Sequence, residues 1–300
     1  MSICQRVSIL LVIIHVVSLS CDDGGNKLSS DSGAPECEPG ETKLCECEDD
    51  WLGVQICDSA GQWGECDCEG GNPNPDPCGD SILFVVDRSS SMETDDKWDD
   101  LKATFVDVLD AFGDATALGL EVFPDDSCDD EYNGDELSIL CRGPDNLLVD
   151  IASGSSQSIM DSMDNVGTCG GTPTAAAFDK ALSTVESYSG EIRLVLITDG
   201  TPNCNANADG SDCECPVGAQ ELCEDNPALC LDDLAASQAA IQLKDAGAPV
   251  HVVAFDTYPE WDHVFDQLAA AGGTTEAYFC ADAAELEVSL AEILASVTDC

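Results

Sequence analysis

From residue 80 to the C-terminus, apolar runs alternate with segments of helical spacing. Ser81 to Asp87 and Glu191 to Thr198 are almost continuously apolar, and Leu118 to Phe123 and Val250 to Phe255 read as strands beside them. They lack the period-two polarity of a sheet with one wet face, which predicts strands covered on both sides. Further strands are expected at Asn146 to Ala152 and Ala277 to Cys280. Trp98, Leu101, Phe105, Val108, Leu109 and Phe112 recur at a helical period, so a helix is predicted over 98–112. Other helices are predicted at Pro173 to Tyr188, opened by proline in its first turn, at Leu231 to Asp245, at Asp262 to Ala271 and at Ala283 to Val297. Alternating strands and helices of this kind imply an α/β fold: a doubly wound, mostly parallel sheet flanked by helices. Ligands of such sheets sit at the carboxyl ends of the strands, where the strand order reverses.

Upstream of residue 80 the pattern differs. Arg6 precedes an apolar run from Val7 to Leu19, broken by Ser8, His15 and Ser18. The run is short for a membrane span and has the shape of a signal peptide, residues 1–20. It ends Ser18-Leu19-Ser20-Cys21, which resembles the lipobox of bacterial lipoproteins, with Ser where Leu is expected at position 18. That resemblance implies a lipid on Cys21 and a lipoprotein of the cell envelope; cleavage without lipidation, giving a secreted protein, is the alternative. Residues 21–36 read as a flexible tether of Asp, Gly, Ser and Asn. Residues 37–69 hold Cys37, Cys45, Cys47, Cys57, Cys66 and Cys68 among glycines and too few apolar residues for a core. Such a module must be held by cross-links, whose pairing the sequence leaves open. A spacer role is preferred for it. Residues 70–79 are a linker, and residues 80–300 form the main domain.

Composition narrows the function classes. Ten Lys and Arg stand against 60 Asp and Glu, a formal charge of -50. That excludes nucleic acid, whose phosphates need a basic face, and leaves a lipid anchor as the one expected contact with a membrane. Nineteen cysteines point to an oxidising, extracytoplasmic compartment. Zinc is disfavoured, because the chain offers C-x-C pairs and three histidines rather than spaced C-x-x-C pairs. The acidic stretch 125–131 reads as a solvated insertion cross-linked by Cys128 and Cys141. The segment after Asp199 carries Cys204, Cys213, Cys215, Cys223 and Cys230, and is expected to be a disulfide-rich wall of any cleft there. From Cys78 onward the cysteines number eleven, so one is left over for a thiol or for a bond outside the domain.

The candidate chemistry lies at the strand ends. Asp87-Arg88-Ser89-Ser90-Ser91 follows the first strand of the domain. In an extended turn alternate residues project the same way, so Asp87, Ser89 and Ser91 can converge. One carboxylate and two hydroxyls are hard oxygen ligands, suited to Mg²⁺, Mn²⁺ or Ca²⁺. Thr172 lies between two glycines and Pro173, which favours an extended backbone. Asp199 ends another strand. Taken in order, ILFVVDRSSSM, GGTPTAAAF and LVLITDG resemble the three parts of the metal-ion-dependent adhesion site of von Willebrand factor type A domains, over residues 80–300. The resemblance implies direct coordination by Ser89 and Ser91, water-mediated binding by Asp87, direct or water-mediated binding by Thr172, and an outer role for Asp199. It implies Mg²⁺ as the favoured ion and a protein partner that completes the metal shell with an Asp or Glu. It also implies a Cys78–Cys300 bridge, since the termini of such domains lie close together. A purely structural metal in an assembly or scaffold module is the alternative, and a metal-dependent hydrolase stands behind it. No catalytic role is expected: neither serine lies in a G-x-S-x-G elbow, and no histidine adjoins them in sequence.

Overall fold

The computed structural model describes residues 42–46, 52–56, 61–64, 80–112, 116–125, 141–205, 208, 213–216, 223 and 226–298. The chain divides into two compact units, 1–70 and 71–300. Strands β1 (Thr42–Glu46) and β2 (Leu52–Ile56) form an antiparallel pair in the first unit, with Thr42 opposite Ile56. The expected signal peptide, Cys21, the expected tether and linker, and Cys78, Cys128 and Cys300 lie outside the described residues.

The second unit is a six-stranded sheet. Its strands are β3 (Asp80–Asp87), β4 (Leu118–Phe123), β5 (Val149–Ala152), β6 (Glu191–Thr198), β7 (Val250–Phe255) and β8 (Tyr278–Cys280), in the spatial order β5-β4-β3-β6-β7-β8. All neighbours are parallel except β4 and β5. The chain runs outward from β3 through β4 to β5, then returns to the other side of β3 for β6. The switch in strand order therefore falls between β3 and β6, and a crevice opens at their carboxyl ends.

The apolar runs are explained by two separate layers of core. Ile82, Phe84 and Val86 face α1 (Lys97–Phe112) and α6 (Ala283–Thr298), packing with Leu101, Phe105, Leu290 and Leu294. Leu83 and Val85 face α3 (Thr174–Ser187) and α4 (Asp233–Asp245), with Phe178, Ala181, Ala240 and Leu243; Phe265 of α5 (Asp262–Ala271) joins them. Both faces of β3 are buried, so no position on it could be polar without a partner.

Two elements depart from the expectation. The edge strand β5 is shorter than 146–152; Leu148 N–H still donates to Leu120 O at 2.8 Å, but the register shifts between Leu118 and Leu120. Helix α2 (Ser156–Met163) was not expected. It buries only Ile159 and Met163, a single i,i+4 pair, too little to register as a period. Between β3 and α1 a 3₁₀ segment, Ser90–Asp96, carries Asp95 and Asp96 at φ of 56° and 62°.

The expected Cys128–Cys141 bridge does not form: Cys141 pairs with Cys204, their Cα atoms 4.8 Å apart. The reason is topological. Strands β4 and β6 flank β3, so the segments that follow them meet over its carboxyl end, 63 residues apart in sequence. Cys213 pairs with Cys230 and Cys215 with Cys223, which makes the segment after Asp199 the disulfide-rich loop that was expected. Cys169 is also disulfide-bonded. Cys280 keeps a buried thiol, 3.2 Å from Ser289 Oγ. No helix among the described residues is long and apolar enough to cross a membrane.

Candidate metal centre

The crevice between β3 and β6 collects all five residues singled out in the sequence. Asp87 closes β3 and is wholly buried. Its Oδ1 accepts from Ser89 N–H at 2.7 Å and its Oδ2 from Thr198 Oγ1 at 2.6 Å. Ser89 Oγ lies 3.0 Å from Ser91 Oγ, and Ser91 Oγ donates to Asp199 Oδ1 at 2.7 Å. A Cβ built on Gly200 would stand 3.5 Å from Thr172 Oγ1 and 3.9 Å from Ser91 Oγ, so those two hydroxyls converge over Gly200. Ser89, Thr172 and Asp199 are buried, whereas Ser91 is exposed. The cluster is therefore walled behind and open at Ser91.

Each part is held in place by groups the sequence did not advertise. The buried Arg88 guanidinium donates to the carbonyls of Pro124, Asp125 and Gly167, tying the serine turn to two other loops. The turn and the threonine loop are knit by Cys169 N–H to Arg88 O at 2.8 Å and Ser90 N–H to Gly170 O at 3.1 Å. Asn203 holds Thr172 at both backbone groups: its Oδ1 accepts from Thr172 N–H at 3.1 Å, and its own N–H donates to Thr172 O at 3.2 Å. The N-cap of α3 is Pro173, with no side-chain cap, so the Thr172 hydroxyl is not consumed in capping. Lys97 Nζ donates to Asp199 Oδ2 at 2.8 Å and stands 3.9 Å from Asp256 Oδ2. Sequence reasoning missed Lys97, Asn203 and Thr198. The one available signal was for Lys97: it is among only ten basic residues, placed where an amphipathic helix begins.

The electrostatics suit a cation. Burial first, and the Asp199 carboxylate second, push the Asp87 carboxyl well above its ordinary value, against the hydrogen bonds from Thr198 and Ser89 that favour its charged form. The Lys97 ammonium offsets part of the repulsion between these two carboxylates, and a divalent ion would offset the rest. The donor set of carboxylate and hydroxyl oxygens fits a hard divalent ion such as Mg²⁺, Mn²⁺ or Ca²⁺. The two described histidines lie elsewhere. His251 pairs with Val195 towards the start of its strand, and His263 stacks on Trp261 on a helix surface. A hollow of about 370 Å³ between α3 and α4, lined by Cys141, Cys204, Asn205 and Asp232, is separate from the five residues.

An open sheet of this order, with oxygen donors at its switch point, defines a von Willebrand factor type A-like fold. Solved structures agree on the fold. The pilus adhesin SpaC of Lactobacillus rhamnosus aligns over 89% of this chain with a TM-score of 0.53 at 15% identity. The von Willebrand domain of the type V pilus tip protein Mfa5 of Porphyromonas gingivalis aligns over 73% of this chain and 95% of its own, at 0.51 and 14%. The minor pilin PilB of Streptococcus sanguinis aligns over 86% of this chain and 77% of its own, at 0.53 and 13%. The chain spans about a third of the length of SpaC, 35%. No protein-family model matches the chain, and no curated protein matches it by sequence.

Proposed function

We propose that this is an extracytoplasmic adhesion or assembly protein. Its A-type domain holds a divalent ion, Mg²⁺ by preference, through Ser89, Ser91 and Thr172, with Asp87 and Asp199 supplying charge from behind. The ion then captures a protein partner through an Asp or Glu side chain. One observation carries the reading: the hydroxyls of Ser89, Ser91 and Thr172 gather with the carboxylates of Asp87 and Asp199 at the switch point of the sheet, and Ser91 is exposed there. Mg²⁺ seeks about six oxygens in octahedral array. A protein that offers mostly neutral donors directly leaves the ion electrophilic, and a partner's carboxylate can replace water at the open side.

The structural neighbours, a pilus adhesin, a pilus tip protein and a minor pilin, favour an envelope role over catalysis. Among the described residues no histidine stands beside the serine cluster to act as a base, which disfavours a serine hydrolase. Disulfides favour an oxidising compartment. Lipidation of Cys21 and the signal peptide belong to the same reading.

The test is a pull-down of envelope or surface partners, with and without EDTA, beside titration with Mg²⁺. EDTA should abolish capture, and Asp87→Ala or Asp199→Ala should do the same while the fold is retained by circular dichroism. Undiminished capture by either variant would sink the proposal.

A further inference from the structure

Lys97 is costly where it stands. It is 9% exposed, in a chain with ten basic residues. Burying an ammonium is unfavourable unless it is paired. It opens α1, where the helix dipole disfavours a cation, and the remainder of that first turn carries Asp99 and Asp100. The two residues before it, Asp95 and Asp96, both adopt the left-handed region, at φ of 56° and 62°. Aspartate tolerates that region better than most residues, but two in succession store strain. Lys97 N–H closes the segment by donating to Met92 O and Thr94 O. Three local costs therefore deliver one ammonium to one place, Asp199 Oδ2, while the other oxygen of that carboxylate faces Ser91.

We propose that Lys97 is the specificity-setting residue of the centre, a tethered cation that weakens the protein's hold on a bare divalent ion and strengthens its hold on an ion that carries a carboxylate ligand. The inference rests on the metal reading above. In the ionised form that a divalent ion selects, Asp87, Asp199 and Lys97 together carry a net charge of -1, against -2 without the ammonium. A divalent ion entering the site is attracted less strongly. Once bound, it leaves the cluster at +1 rather than neutral, and an incoming carboxylate meets net positive charge. Asp256, at 3.9 Å and half exposed, only partly offsets this. Lys97 thus shifts binding energy from the ion to the ion together with its partner's acid. A chain of net charge -50 has need of such a device, because its long-range field otherwise repels an acidic ligand.

The experiment is Mn²⁺ binding followed by electron paramagnetic resonance, on the full chain and on K97M, K97Q and K97R, without and with acetate as the carboxylate probe. Thermal melts in EDTA verify that each variant is folded. K97Q keeps a hydrogen-bond donor towards Asp199 without the charge, and serves if K97M does not fold. The charge-neutral variants should bind Mn²⁺ at least about tenfold more tightly, the scale of one partly screened buried charge. Acetate should tighten Mn²⁺ binding in the wild type and in K97R, and less in K97Q and K97M. Equal or weaker Mn²⁺ binding by folded K97M and K97Q, with the wild type binding normally, overturns the role of Lys97 and leaves the metal centre standing. No Mn²⁺ binding by any variant overturns both. Binding by K97M and K97Q but not by the wild type makes Lys97 the resident cation of the native chain, and overturns the metal reading together with the inference that rests on it.

Discussion

At the scale of single residues, the centre shows how far a side chain's meaning depends on its surroundings. Asp87, Ser89 and Ser91 are legible locally, because alternate residues of one turn share a direction. Lys97, Thr198 and Asn203 are not, because each acts on a residue that only folding brings near. Glu121 is a stronger case of the same kind. It lies on β4 opposite Val85, wholly buried, and neither carboxylate oxygen has a hydrogen-bond partner. Burial pushes its carboxyl well above the ordinary value, and the Lys180 ammonium only partly opposes this. The folded chain therefore keeps Glu121 protonated where the unfolded chain has ionised it, so this group's effect is to lower stability as pH rises above its unfolded value of about 4.3. Glu121→Met, which removes the buried acid at similar volume, should raise stability at pH 7 by about 1–3 kcal/mol. The gain should shrink towards pH 4. Chemical denaturation at the two pH values measures it, and a less stable variant at pH 7 would show that the acid contributes a net favourable interaction.

At the scale of elements, strands and long helices followed from hydrophobic pattern with small shifts at their ends. β4, β6, β7 and α5 have the bounds the pattern predicts. α2 escaped because one buried pair is not a period. The loops are where elements constrain one another. A Cβ on Gly171 would meet Cys204 Sγ at 2.5 Å, and that sulfur is fixed by its bond to Cys141. The glycine therefore lets the threonine loop close against the disulfide, one residue before Thr172. Gly171→Ala should destabilise the domain by about 1–3 kcal/mol, as overpacking of a tight contact does. It should also weaken Mg²⁺ binding by displacing Thr172. Adding Cys141→Ala and Cys204→Ala removes the obstructing sulfur and should recover Mg²⁺ affinity in calorimetry. Persistence of the defect in the triple variant would show that the clash is elsewhere.

At the scale of the whole molecule, cross-links decide which loops share a neighbourhood. Cysteine content pointed to disulfides, but sequence nearness misled on Cys141, whose partner comes from beyond β6. The Cys78–Cys300 bridge lies outside the described residues and stands as a proposal. Peptide mapping of the oxidised protein should recover Cys141 joined to Cys204 and Cys78 joined to Cys300; a Cys128–Cys141 peptide would contradict the first. By itself the sequence determined the class of fold, the run of elements and the three oxygen-bearing segments, because hydrophobic period and turn chemistry are local properties. The tertiary structure alone decided the strand order, the convergence of Ser91 and Thr172 over Gly200, and the ammonium of Lys97 on Asp199. Those contacts join residues far apart in the chain, and their energies depend on burial, which exists only once both faces of the sheet are covered.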